Sequence, residues 1–366
     1  MLLGLIALAV LTALMRYACG LGAVTNLGNA YPWGLWISFD LLCGVALAAG
    51  AFVTASAVCL FGMERFRPIL RPAILTGFLG YVMVILALLV DLGRPERIWY
   101  LLPFRNPRSV MFEVGWCVML YTTVLALEVS PLVWERLRWP RPLAVIRRAT
   151  VALVILGTLL STLHQSSLGA LFLAMPTKVH PLWFSPFLPV HFFLTAVAVG
   201  PAMVILESWV ASRMLGRGLE LRLIGDLSKA ISPVLAANLA LKVYDVTAAG
   251  EWTMALHGGM AALFWLEVIG GLVAPMVLFA LPSVRRNGSR LFGAALLVVA
   301  FTVVNRFAVS LIGWSRPPDA GYFPHWMELA ISVGIVAAGV AAYALAARFL
   351  PLFGDAPHPR PRAAGK

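Results

Sequence analysis

Charge is scarce in this chain. Only 12% of its 366 residues are Asp, Glu, Lys or Arg, while 61% are hydrophobic. That leaves too little polar side chain to cover a water-soluble fold of this length, so a soluble globular enzyme is excluded. Acids are scarcer still, 16 against 28 Lys and Arg, for a net charge of +12. There are four cysteines, Cys19, Cys43, Cys59 and Cys117, all within apolar runs and with no C-x-x-C pair among them. The usual signatures of an iron–sulfur cluster or a zinc site are therefore missing. Also lacking are a phosphate-cradling glycine-rich loop and a nucleophile elbow. No two helices present the paired mid-membrane histidines of a dihaem relay, although His164 with His191 stays open as a pair that could face each other.

What fills the chain is apolar sequence. Windows of roughly 20 residues, enough to span a bilayer, predict helices near 1–23, 33–61, 69–91, 110–131, 146–167, 188–212, 228–248, 253–282, 291–313 and 326–350. The first has no basic n-region, and Arg16 with Tyr17 sits badly before a cleavage site at Cys19, so it is read as a helix and not a signal peptide. The expectation is an all-α, polytopic membrane protein: one integral membrane domain over 1–350 and a short cytoplasmic tail, 351–366. Helices 2–5 and 6–9 would form two four-helix bundles flanked by helices 1 and 10. Because helices 2 and 6 run the same way, the bundles would be a parallel repeat.

Charge then orients the chain. Nineteen of the 28 basic residues fall in the junctions 62–71, 132–148, 213–229 and 283–290 or in the C-terminal stretch. The alternate junctions hold Arg94, Arg97, Arg105, Arg108, Lys178 and Arg316. The positive-inside rule predicts cytoplasmic termini in a cytoplasmic (inner) membrane. Basic residues spread over short loops are a topogenic signal and do not form a nucleic-acid-binding face. The outward connections 92–109, 168–187 and 314–325 are long and rich in aromatics and proline. Such loops serve as a lid or as a docking surface.

Against this background the intramembrane acids and bases stand out: Asp40, Asp91 with Arg94, Glu113, His164, Lys242, Asp245 and Arg306 toward the outer side, and Tyr81, Glu207 and Glu267 deeper. An ionised group at a helix centre costs about 2.5–3.5 kcal/mol or more unless it faces a cavity or a partner. Lys242 and Asp245, three apart on one helix, read as a structural pair, and Asp91 with Arg94 reads as a loop-ordering pair. Glu113 and His164 sit near the outer ends of helices 4 and 5, where an acid and an imidazole can exchange protons with a carbonyl or hydroxyl compound.

The runs TNLGNAYPWGLWISFDLLCGVALAAGAFV (25–53), DLGRPERIWYLLPFRNPRSVMFEVGWCVMLY (91–121), STLHQSSLGALFLAMPTKVHPLWFSPFLPV (161–190) and AVAVGPAMVILES (196–208) closely resemble the NrfD/polysulfide-reductase membrane-subunit superfamily. Within it the chain looks most like the integral membrane subunit of hydrogenase-2-type nickel–iron hydrogenases. The resemblance implies a subunit with no haem, metal or iron–sulfur cluster of its own. Such a subunit passes electrons between a docked four-cluster ferredoxin-like protein, with hydrogenase large and small subunits behind it, and a quinone, menaquinone or ubiquinone. The outward loops would be the docking surface. Glu113 and His164 would be the leading quinone-site groups, with Asn29, Trp33, Asp40 and Gln165 beside them, and Tyr81 and Glu207 would lie on a proton path to the cytoplasm. Three other readings compete: a membrane subunit of a molybdopterin oxidoreductase of the polysulfide-reductase type, a secondary transporter, whose polar groups should gather at mid-depth, and a passive anchor.

Overall fold

The computed structural model describes residues 1–214, 216, 218–314 and 321–353. Among them there is no strand, only the isolated bridges Gly28 to Tyr31 and Val179 to Trp314. Among the described residues nine helices are long and apolar enough to cross a membrane: α1 (Leu2–Cys19), α2 (Trp36–Cys59), α3 (Glu64–Asp91), α4 (Val110–Leu137), α5 (Pro140–Leu173), α6 (Leu188–Met214), α8 (Ala261–Ala280), α9 (Gly288–Ile312) and α10 (Trp326–Phe349). The tenth, α7 (Ile231–Ala249), matches them in length but carries Asn238, Lys242 and Asp245 and is correspondingly less apolar. The protein is thus an all-α, multi-pass membrane protein.

Local chemistry sets the helix ends. Ser109 caps α4 by accepting from the Phe112 amide at 3.4 Å, and Asn287 caps α9 through the Arg290 amide at 3.0 Å. His325 and Glu328 form a reciprocal capping box at the start of α10. Prolines 140 and 142 open α5 in its first turn, where a missing N–H costs nothing. Two expected boundaries move. The stretch 253–282 is broken: Trp252–His257 forms a short helix, Gly258 turns extended, and α8 begins only at Ala261. A β-carbon at Gly258 would lie 2.4 Å from the Met254 carbonyl, so the break depends on glycine. In the other direction α5 runs on to Leu173, so 168–173 is not loop; Leu168, Leu171 and Phe172 are buried in the core.

The helices close into two rings. In the first, α2 packs on α3, α3 on α4, α4 on α5 and α5 back on α2; in the second, α6 packs on α7, α7 on α8, α8 on α9 and α9 on α6. The two bundles meet along α6, which lies against α2 and α5, and α1 and α10 pair with each other on the outside of α3. At the seam, Gly50 faces the Gly200 carbonyl, and a β-carbon on Gly200 would sit 3.0 Å from the Ala49 backbone. Small residues let the two helix backbones touch there. The basic junctions all fall on one end of the molecule, hereafter the basic face, and the aromatic-rich connections on the other, the aromatic face.

Candidate functional site

In the first bundle three side chains reach one level. Tyr81 on α3, Tyr121 on α4 and His164 on α5 lie 9 to 11 residues from their helix ends at the aromatic face, a depth of roughly 15 Å at 1.5 Å per residue. All three are buried. The Tyr81 hydroxyl is 2.8 Å from His164 Nδ1, and the Tyr81 ring meets Tyr121 edge-on with centroids 4.7 Å apart. Gln165 donates its amide to the Val45 carbonyl at 2.9 Å. Three polar atoms of this cluster are buried with no hydrogen-bond partner, His164 Nε2, Gln165 Oε1 and the Tyr121 hydroxyl. Such orphans are rare, and each costs about 1–3 kcal/mol. Toward the basic face α5 continues the polar stripe with Ser161 and Thr158, whose hydroxyl is 2.7 Å from that of Ser56 on α2.

The sequence-predicted residues scatter around this cluster. Asp40 is buried in a π-helical turn that opens α2 and accepts a 2.5 Å hydrogen bond from Ser332 on α10. Trp33 is half-buried between Phe172 and Trp314, and Asn29 is exposed in the connection before α2. Glu113 is exposed in the first turn of α4, and the group that reaches His164 is Tyr81. Glu207 lies 19 residues along α6 and accepts from the Tyr343 hydroxyl at 2.6 Å. That places it roughly 14 Å beyond the Tyr81 level, toward the basic face. At Glu207's depth stands Glu128 on α4, an acid the sequence reading passed over although it interrupts the apolar run VLALEVSPL.

The second bundle holds a denser network. His191 on α6 is 2.6 Å from Asn238 Oδ1 through Nδ1 and 2.6 Å from Asp245 through Nε2. Glu267 on α8 accepts from Trp183 Nε1 at 2.6 Å and from the Asn305 amide at 2.8 Å. Arg306 reaches Asn305 and Thr195, both at 2.8 Å, and lies 3.6 Å over the Phe192 ring. The expected Lys242–Asp245 pair does not form. Lys242 donates to the Leu182 carbonyl at 2.8 Å and Asp245 binds His191, because both side chains turn into the bundle, toward other elements. A small cleft of about 40 Å³ opens among these groups, with Leu235, Leu272 and Phe301 on its apolar wall. With both nitrogens of His191 bonded and His164 held by Tyr81, the two imidazoles offer no facing pair of free nitrogens to an axial haem. No group of three or more metal-ligating side chains is found among the described residues.

At the aromatic face, Arg16 of α1 donates its Nε to the Val90 carbonyl at 2.6 Å and also reaches the Leu92 carbonyl. The expected Asp91–Arg94 ion pair does not form among the described residues. The loops differ in character. Residues 92–109 expose Trp99 and Phe104, whereas 174–187 dips inward, with Leu182 and Trp183 buried against the second bundle. Burial lowers the basicity of the His180 imidazole in that loop and pushes the Glu251 carboxyl up, partly offset by Lys242. Of 314–325, residues 315–320 lie outside the described residues, as does the tail from 354.

A family model described as polysulphide reductase, NrfD, matches residues 23–316. A protein of Nitratidesulfovibrio vulgaris is 42% identical over 96% of this chain and 93% of its own length. The probable Ni/Fe-hydrogenase 2 b-type cytochrome subunit of Escherichia coli is 35% identical over 95% of this chain and 90% of its own. The integral membrane subunit of a menaquinone reductase from Nitratidesulfovibrio vulgaris is 29% identical over 91% and 86%. With two four-helix bundles and a family match covering most of the chain, this protein belongs to the NrfD family.

Proposed function

We propose that this chain is the haem-free, quinone-reactive membrane subunit of a multi-subunit oxidoreductase, with a periplasm-facing nickel–iron hydrogenase as its soluble part. A four-cluster ferredoxin-like protein docks on the aromatic face and exchanges electrons with a quinone, menaquinone or ubiquinone, held in the first bundle. The carrying observation is the Tyr81–His164 hydrogen bond beside the orphaned polar atoms His164 Nε2 and Gln165 Oε1. Reducing a quinone adds two electrons and two protons, so each ring oxygen needs a hydrogen-bonding group able to exchange a proton. Tyr81 and His164 are such groups; Trp33, Asn29 and Asp40 flank the approach from the aromatic face, and Glu113 stands at its rim. Glu207 and Glu128, deeper in, suit a proton path toward the cytoplasm. The relatives named for a hydrogenase and a menaquinone reductase support the reading. The Escherichia coli relative is named a b-type cytochrome; in this chain both nitrogens of His191 are bonded, so His164 and His191 do not form a free axial pair, and the haem-free reading rests on that.

The reading is tested in the assembled complex. His164→Ala and Glu113→Gln should leave dye-linked activity of the soluble part intact and slow quinone-linked electron transfer, for His164 by about 10²–10⁴-fold. Wild-type quinone rates in both variants would overturn the site. The orientation is checked with a reporter active only in the cytoplasm, which should work when fused after residue 140 or 286 and fail after 100 or 178. The opposite pattern would invert the membrane placement.

A second reading has one observation in its favour: a cleft lined by polar groups, though of only about 40 Å³, lies in the second bundle. It would put the quinone ring beside Lys242, which spends one of its three N–H donors on Leu182. The first bundle is preferred because His164 Nε2, Gln165 Oε1 and the Tyr121 hydroxyl are all buried there without partners, whereas most polar groups of the second bond one another.

A further inference from the structure

The basic face carries a groove that the electron-transfer reading does not use. It offers about 610 Å³ between the short helix Leu221–Leu227 and the turn joining α8 to α9, and its lining includes Arg222, Asp226, Lys229, Arg285 and Arg286. Its walls touch at Gly225, where a β-carbon would stand 2.7 Å from the Arg285 carbonyl. The one acid is already spent: Asp226 accepts from Lys229 at 2.5 Å and lies 3.4 Å from Arg65. The Lys229 hydrogen bond holds its carboxyl below the usual carboxylate range. Arg222 and Arg286 are exposed and make no ion pair among the described residues. The groove therefore presents unneutralised positive charge to whatever enters it.

Its position says what that is. The groove sits at the junction of two membrane-crossing helices, at the boundary between hydrocarbon and water. Val277 in the last turn of α8 and Leu281 just past its end, next to the lining residue Pro282, are exposed, 47% and 44%, and put apolar surface on the segment that leads into Arg285 and Arg286. A ligand filling both parts has a phosphodiester head and long acyl chains. We propose that this groove binds the headgroup of an anionic phospholipid, of the phosphatidylglycerol or cardiolipin class, with its chains along Val277 and Leu281. Arginine suits this task because its planar fork bonds two phosphate oxygens at once, and basic pockets between membrane helices on the cytoplasmic side commonly take such heads.

Native mass spectrometry of the full-length protein in detergent tests this, with equal amounts of phosphatidylglycerol, cardiolipin and phosphatidylcholine added. The wild type should retain one of the two anionic lipids over phosphatidylcholine. The double variant Arg222→Gln, Arg286→Gln should bind it about thirtyfold more weakly. Arg136→Gln with Arg148→Gln, which removes the same charge from another exposed stretch of that face, should bind it as the wild type does. Unchanged far-ultraviolet circular dichroism keeps misfolding out of the comparison. Equal retention of phosphatidylcholine, equal losses in the two double variants, or displacement of the lipid by millimolar inorganic phosphate would each overturn the proposal, the last by making this a free-anion site.

Discussion

The two bundles have the same four-helix architecture and treat buried polarity in opposite ways. In the second, most polar side chains satisfy one another: Asp245 and Asn238 hold His191, Trp183 and Asn305 hold Glu267, and Arg306 ties Asn305 to Thr195 while its Nε alone stays without a partner. In the first, Tyr81 and His164 bond each other but leave His164 Nε2 and Gln165 Oε1 without partners. A satisfied network rigidifies, whereas an unsatisfied one retains a cost that a ligand can relieve. The same low dielectric that makes the second bundle stiff makes the first receptive. The comparison also warns against reading a cleft as a site by its presence alone: the second-bundle space is only about 40 Å³ and lies among groups that mostly bond one another.

The sharpest way to break the comparison is a matched pair of tryptophan and tyrosine changes. Tyr81→Phe deletes one hydroxyl from the first cluster and should slow quinone-linked turnover of the assembled complex by about 10²–10⁴-fold. Trp183→Phe deletes one donor to Glu267 and should leave turnover per assembled complex within about twofold of wild type. Stability should respond the other way. Glu267→Ala strands the Trp183 and Asn305 donors, a loss of about 1–3 kcal/mol per orphaned group, visible as a lower unfolding midpoint in detergent. Tyr81→Phe should lower that midpoint less. Glu207→Gln keeps an acceptor for Tyr343 but cannot carry a proton, so turnover should change its dependence on membrane potential while quinone affinity holds. An unchanged potential dependence would make Glu207 a helix staple. Least affected should be Ser332→Ala, which removes the Asp40 partner for about 1 kcal/mol and tests whether α10 merely steadies α2.

Much of this was legible in the sequence, and the reasons differ by level. The apolar runs located all ten helices, because a bilayer imposes one length on every span. Helix ends were less legible: Gly258 breaks one predicted span, and Pro140 starts α5 six residues before its predicted start. His164, Tyr81 and Gln165 were singled out as residues, but their meeting was only half anticipated. Glu113 was paired with His164 because both lie near the aromatic ends of neighbouring helices, yet they differ in depth by about 9 Å at 1.5 Å per residue. Depth along a helix can be counted from sequence; the direction a side chain faces cannot, and that is also why Lys242 and Asp245 were read as a pair. The second-bundle network was missed because its members come from four separate helices and a loop, with no shared motif. The π-helical turns that contain Asp40 and follow Glu267 and Arg306 arise from tertiary packing and carry no short sequence motif.

The central claim is that the quinone is handled in the first bundle. A photoreactive azido-quinone, cross-linked to the assembled complex in membranes and mapped by peptide mass spectrometry, addresses it directly. The account predicts adducts on residues of α2 to α5 near Trp33, Tyr81 and His164, suppressed by excess unlabelled quinone. Competed adducts on Lys242, Leu272 or Phe301, around the second-bundle cleft, would contradict it.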